Sequence, residues 1–351
     1  MENMEALQAF IDDGKPSLAY EILSKLKTHS AATARMTADA LRMLGRFDEA
    51  IKWYRQAGLT EKDPENKAWL LLGLAACLRT LGSGKRAYKA AVKAGEAARD
   101  LEIDELLVAA ELEAALALRA QGEFEQSLSG LKDVFNTYLA NSDYQGMGYV
   151  HWAIGGVYRL QGRLDLAVHE FSRAITLAKK TGDETALGYA YFGLAGASRI
   201  AGNIADSEKF YRLADTIFKD SDDTFARAYV NCGLANALRQ KGVYDEAFTR
   251  YTEADRLYSS INDEPDLGFV KWGLGSILLK RGELKKAFEQ FKLAEKLFSK
   301  YDEKRGQLLT QFSLACADYL LGNRRQAATR FDRAYKTAQK EGLYTYLESF
   351  T

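Results

Sequence analysis

The chain has 351 residues, with 48 Lys+Arg against 48 Asp+Glu, so its formal net charge is zero. That balance speaks against a free-standing nucleic-acid binder, which carries a basic excess. The 47% hydrophobic and 11% aromatic content speaks against a disordered chain, and only three prolines favour a helical one.

The N-terminal stretch MENMEALQAFIDDGKPSLAYEIL carries acids where a signal peptide carries bases. No stretch reaches the roughly 18 uncharged apolar residues of a membrane span. Three cysteines, with no CxxC pair, fit a reducing compartment. The expectation is a cytoplasmic chain without membrane insertion, with residues 1–23 as an extra helix or cap.

From there a period governs the sequence. Gly82, Gly122, Gly162, Gly202, Gly242, Gly282 and Gly322 stand 40 residues apart, and Gly45 precedes Gly82 by 37. The blocks 24–60, 61–100, 101–140, 141–180, 181–220, 221–260, 261–300 and 301–340 therefore align as one unbroken domain, with 341–351 as a C-terminal cap. Before each glycine lies a small-rich apolar segment, such as GYVHWAIGGVYRLQG. After it lies an amphipathic one, such as YDEAFTRYTEADRLYSS. Each is a predicted helix, and the glycine is the left-handed stop between them. Pro64 and Pro265 fall near block starts, outside the helices, and strand signals are absent. Five residues past the glycine stands a small residue, such as Ala167 or Ala247. Nine past it stands an aromatic in most blocks: Tyr54, Phe171, Tyr211, Tyr251, Phe291 and Phe331, with Ala91 and Leu131 as the exceptions. Twelve past it stands alanine, apart from Val134. The tail EGLYTYLESFT is expected to pack on the last hairpin through Leu343, Tyr344 and Leu347.

The pairs Leu194-Ala195, Leu234-Ala235 and Leu274-Gly275, followed by these glycine, alanine and aromatic columns, resemble the tetratricopeptide repeat in a 40-residue form. The resemblance covers roughly residues 24–340. It implies an all-α, right-handed superhelical solenoid of about eight helix-turn-helix repeats, with first helices lining the concave side. Members with this period include spindle-orientation scaffolds and bacterial signalling-peptide receptors. One departure stands out. The family's large aromatic, three before the leucine, is replaced by Leu71, Glu111, His151, Tyr191, Asn231, Lys271 and Gln311, and the bulky residue stands one place later.

Four columns, 13, 10, 6 and 3 residues before each glycine, share one helix stripe, which the resemblance turns toward the concave groove. The first holds Tyr149, Tyr189, Tyr229 and Phe269, and the second Trp152, Phe192 and Trp272. The third is mostly small, with Gly156, Gly196, Asn236 and Ser276. The fourth holds Arg42, Arg79, Arg119, Arg159, Arg199 and Arg239, then Leu279 and Tyr319. Basic residues are 48 of 351, about one in seven, so six arginines in eight aligned positions exceed chance. Two readings stay open. The arginines and aromatics form a partner groove, or they are helix-end cations and inter-repeat core, the arginines pairing with Asp165, Asp206 or Asp245. The candidate contacts are Arg119, Tyr149, Trp152, Arg159, Tyr189, Phe192, Arg199, Tyr229, Asn236, Arg239, Phe269 and Trp272.

Chemistry beyond binding finds little support. His29, His151 and His169 lack metal spacing, and LGSGKRA at 81–87 lacks the phosphate-loop spacing and a preceding strand. No cofactor is expected, and catalysis is not. The expected function is a protein- or peptide-binding adaptor or scaffold for an acidic or amphipathic segment. Alternatives are a sensor of a small ligand or signalling peptide, and a self-assembling homo-oligomeric scaffold.

Overall fold

The computed structural model describes residues 4–301 and 303–341. These form eighteen α-helices, and no strand occurs among the described residues. In chain order they are α1 (Met4–Asp12), α2 (Pro16–Leu23), α3 (Ala31–Met43), α4 (Phe47–Thr60), α5 (Pro64–Thr80), α6 (Gly84–Asp100), α7 (Asp104–Gln121), α8 (Phe124–Ala140) and α9 (Tyr144–Leu160). Then follow α10 (Leu164–Thr181), α11 (Glu184–Ile200), α12 (Ile204–Phe218), α13 (Thr224–Lys241), α14 (Tyr244–Ser260), α15 (Glu264–Lys280), α16 (Leu284–Lys300), α17 (Lys304–Leu320) and α18 (Arg324–Glu341). Residues 4–23 hold two short helices, whose Leu7, Ile11, Ala19 and Leu23 pack with Met36 and Ala40 of α3. The tail contacts expected of Leu343, Tyr344 and Leu347 lie outside the described residues.

Each 40-residue block is a helical hairpin with its turn at the periodic glycine. Gly82 has φ +76°, its amide donates to the Arg79 carbonyl, and the Ser83 amide donates to the Leu78 carbonyl at 2.8 Å. Only a residue without Cβ takes that conformation freely. The turns between blocks use a second left-handed position that the sequence reading missed. It holds Gly182 but also Glu102, Ser142 and Asn262, all near φ +56°. Aspartates cap the next helix: Asp63 accepts from the Asn66 amide and Asp143 from the Gly146 amide, both at 2.8 Å. Pro64 and Pro265 occupy helix starts, where a missing amide donor costs nothing.

Packing between hairpins follows one rule. In four blocks the aromatic nine residues past the turn is buried against a glycine of the next block's first helix; after the buried Phe291 that position is Ser313, and Phe331 of the last block is exposed. A Cβ on Gly73 would stand 2.3 Å from Tyr54, one on Gly193 2.5 Å from Phe171, and one on Gly233 2.2 Å from Tyr211. Gly273 meets Tyr251 in the same way. Where the aromatic is absent, the glycine is too: Ala91 is followed by Glu113 and Leu131 by Ala153. The departure from the family pattern also gains a physical account. Its polar residues reach second helices: Glu111 to Arg99 at 3.1 Å, Asn231 to Arg250 at 3.0 Å, Lys271 to Asp255 at 2.8 Å and His151 to Glu170 at 2.5 Å.

The chain falls into two compact units. Unit 1 is Met1–Ala197 with Thr216–Thr224, and unit 2 is Ser198–Asp215 with Phe225–Thr351.

Candidate functional site

In unit 1 the stripe residues converge. Arg79 on α5 makes a two-pronged ion pair with Glu113 on α7, at 2.6 and 3.4 Å. Glu113 occupies the position held by Gly73, Gly193, Gly233 and Gly273 after Tyr54, Phe171, Tyr211 and Tyr251. The missing ring at Ala91 and the carboxylate at 113 are thus two halves of one exchange. Arg42, whose block keeps its aromatic, donates instead to the Tyr54 hydroxyl at 3.1 Å, and that hydroxyl donates to Asp39 at 2.6 Å.

Arg119 on α7 reaches into the following block. One Nη donates to the Ala153 carbonyl at 3.4 Å, and the guanidinium lies 5.5 Å from the Trp152 ring centroid. A Cβ on Gly156 would stand 2.7 Å from that Nη. The small third column is therefore the bed on which the preceding arginine lies. Burial, then repulsion from Arg79 and Arg159, pulls the Arg119 pKa down to about 10. It remains a cation at neutral pH, but one short of compensating negative charge.

An aromatic run continues from α9. Tyr149 and Trp152 have ring centroids 5.4 Å apart, Trp152 and Tyr189 6.1 Å, and Tyr189 and Phe192 4.8 Å. Tyr189 also meets Phe218 edge-on, and its hydroxyl donates to Asp223 at 2.6 Å. Tyr149 is 40% exposed, yet desolvation raises its hydroxyl pKa, while Arg42, Arg79 and Arg119 oppose the rise. Tyr149 is thus open to solvent and within electrostatic reach of Arg42 of α3, Arg79 of α5 and Arg119 of α7. Burial and Asp223 raise the Tyr189 hydroxyl well above its ordinary value.

In unit 2 the corresponding residues are turned to internal use. Arg239 is 8% exposed, held between the Tyr251 hydroxyl at 3.4 Å and the face of Trp272 at 4.9 Å. The Tyr251 hydroxyl donates to Asn236 at 2.8 Å. Trp272 is buried and donates through Nε1 to Ser313 at 2.9 Å. Phe269 packs edge-on against Phe298, and Tyr229 lies 6.2 Å from Phe225. Arg199 stands half-buried in the last turn of α11. A cavity of about 380 Å³ opens beside Arg239, lined also by Lys241, Ser276, Leu279, Lys280 and Cys316. Leu279 stands there in place of a further arginine.

Of the twelve candidate contacts, Arg119, Tyr149, Trp152 and Tyr189 come together in unit 1, with Arg159 close enough to repel Arg119. Phe192, Arg239 and Trp272 present little surface, because rings and hydroxyls of adjoining helices enclose them. Asp245, an expected arginine partner, is held by Arg281 instead. Glu113, Asp223 and Phe218 were missed, since none lies in the four columns. The exception at Ala91 was the signal for Glu113. Among the described residues no group of three or more His, Cys, Asp or Glu is placed to hold a metal ion, and no helix is long and apolar enough to cross a membrane.

A family model for the tetratricopeptide repeat matches residues 6–64. No curated protein matches the chain. Among solved structures, a Rap protein complexed with Competence and Sporulation Factor superposes with a TM-score of 0.67 at 14% identity, covering 95% of this chain and 96% of that one. The Rap conjugation gene regulator of plasmid pLS20, in complex with the Phr* peptide, gives 0.64 at 15%, covering 86% and 87%. Aspartyl phosphate phosphatase F from Bacillus subtilis gives 0.59 at 11%, covering 95% and 92%. At these identities the likeness is one of fold. Helical hairpins on a 40-residue period, aromatics seated on the next hairpin's glycines and a family match over the first hairpins give this chain a tetratricopeptide-type helical repeat fold.

Proposed function

We propose that the chain is a peptide- or protein-binding adaptor whose unit 1 concavity takes an acidic or amphipathic segment of its partner. The observation that carries this is Arg119. Its charge is half-buried between Arg79 and Arg159, and Glu113, the acid that acts on it, is committed to Arg79. An anionic group from a partner relieves that repulsion and gains charge-assisted hydrogen bonds. Tyr149, Trp152 and Tyr189 supply rigid apolar contact beside the charge. Two of the structures with this fold hold a peptide or signalling factor, as their descriptions state, which supports a peptide as occupant and favours the sensor form of the reading.

The test uses an extended, proline-containing acidic peptide titrated against the full chain, followed by tryptophan fluorescence. Arg119→Gln with Arg159→Gln is expected to weaken binding by at least about tenfold, as is raising salt, with the helical circular dichroism retained. Undiminished binding by the double variant would overturn the assignment.

A further inference from the structure

A second binding surface lies on the other side of α5 in unit 1. Leu71, Leu74 and Leu78 follow one another at helical spacing on the face turned away from the Trp69–Arg79 stripe. They floor a groove of about 490 Å³, walled by Arg55 of α4 and by Arg86, Tyr88, Lys89, Val92 and Lys93 of α6. Leu71 and Leu74 are half-buried, whereas Arg55, Arg86, Lys89 and Lys93 are exposed. None of these four cations joins an ion pair with another described residue, and Glu96 is the one acid in the lining.

The periodicity of the chain shows that this is an exception rather than a property of every block. The position of Leu71 is Glu111, His151, Asn231, Lys271 or Gln311 in five other blocks, and each of these bonds a second helix. From block 61–100 onward, only here is it an aliphatic residue, and Ala34, its counterpart in the first block, is buried in the core. The neighbouring groove, on the far side of α6, is a built-in control. Its cavity of about 420 Å³ shares Tyr88 and Val92, but Glu111 replaces Leu71 and is tied to Arg99, and Asp133 replaces Lys93. The space is similar and the chemistry differs: one groove is closed by its own ion pair, the other is apolar below and cationic above.

We infer that the groove between α4 and α6 docks an acidic amphipathic helix of a partner protein, its apolar stripe on Leu71, Leu74 and Leu78 and its carboxylates on Arg55, Arg86, Lys89 and Lys93. An aliphatic floor takes residues at i, i+3, i+4 and i+7 of such a helix. A wall of four unpaired cations selects acids flanking that stripe. The surface is separate from the arginine concavity, and either could exist without the other.

The experiment titrates a labelled helical peptide of about sixteen residues, leucine on one face and glutamate on the other, against the full chain by fluorescence anisotropy. Lys89→Glu with Lys93→Glu is expected to weaken binding by about tenfold or more, without change in helicity. A peptide with lysine in place of glutamate is expected to prefer that variant over the parent. Arg119→Gln with Arg159→Gln is expected to leave this peptide's affinity unchanged, which separates the outcome from that of the concavity. Equal binding to the parent and the Lys89/Lys93 variant would overturn the inference. So would loss of binding only in the arginine variant. Two further results would also sink it: Lys89/Lys93-dependent sedimentation with phosphatidylserine vesicles without peptide binding, or a Lys89/Lys93-dependent dimer in light scattering.

Discussion

Units 1 and 2 are built from the same 40-residue hairpin, yet they treat the arginine before the turn differently. In unit 1, Arg79, Arg119 and Arg159 follow in consecutive blocks. Glu113 neutralises the first, while burial and the neighbouring arginines pull the second down to about 10. In unit 2, Arg239 is enclosed between a tyrosine hydroxyl and an indole, and the column then turns to Leu279 and Tyr319. There the charges pushed toward neutrality are acids. Burial, then Asp263, raises the Asp266 carboxyl well above its ordinary value, against a hydrogen bond from Tyr258. Burial likewise raises Glu303. The contrast teaches that a repeat fixes where an arginine stands, while the neighbouring block decides whether its charge is spent inside the fold or left for a partner.

The hardest blow to the contrast falls on the shared scaffold. Tyr251→Ala removes a fully buried ring seated on Gly273 and is expected to cost unit 2 about 3–5 kcal/mol, read as a lowered unfolding midpoint in denaturant. In unit 1, Leu131→Ala, at the same place in its block, is expected to cost about 2–4 kcal/mol.

Next in size is a difference between arginines. Arg79→Met strands Glu113, whose side chain is 12% exposed, and is expected to cost about 2–3 kcal/mol; adding Glu113→Gln should restore most of it. Arg239→Met strands no acid and is expected to cost about 1–2 kcal/mol through lost hydrogen bonding and ring contact. Comparable losses with no rescue by Glu113→Gln would erase the distinction.

The smallest effect concerns pH. A carboxyl whose folded pKa is raised binds its proton more tightly folded than unfolded. Its contribution is therefore fully favourable below the unfolded value near 3.8 and is lost as pH rises through the folded pKa. Asp266→Asn is expected to raise the melting temperature at pH 7 by a few degrees and to flatten its decline from pH 4 to 7. Parallel pH profiles for parent and variant would show that Asp266 pays no such penalty.

The glycine period made the hairpins readable in the sequence, because a left-handed turn residue leaves few alternatives. The aromatic column was readable for the same reason, since the rings that have a following hairpin to pack on, Tyr54, Phe171, Tyr211, Tyr251 and Phe291, are all buried. What escaped was pairing between columns. Nothing in the block 61–100 alone tells that Arg79 will find Glu113. That contact depends on Ala91 leaving room one block earlier, a property of stacked neighbours and not of a local pattern. The polar column at Glu111, His151, Asn231 and Lys271 misled in the same way: His151 and Asn231 reach the second helix of their own block, at Glu170 and Arg250, whereas Glu111 and Lys271 reach back to Arg99 and Asp255 of the block before. The second left-handed position hid because only Gly182 advertises it, while Glu102, Ser142 and Asn262 take the same conformation with side chains.

The bed that Gly156 provides for Arg119 has a consequence for the order of the blocks. An arginine's surroundings are set not in its own block but in the one that follows: Arg119 lies on Gly156, whereas Arg79 meets the block of Leu116 and pairs with its Glu113. Duplicating 141–180 in tandem would set Arg159 against a second Gly156, which has room for it. Duplicating 101–140 would set Arg119 against a second Glu113, the kind of acid that already holds Arg79. The hairpins are therefore directional words rather than interchangeable bricks. An engineer who lengthens the array chooses, by the order of the blocks, whether an arginine is bedded on a glycine or paired with an acid.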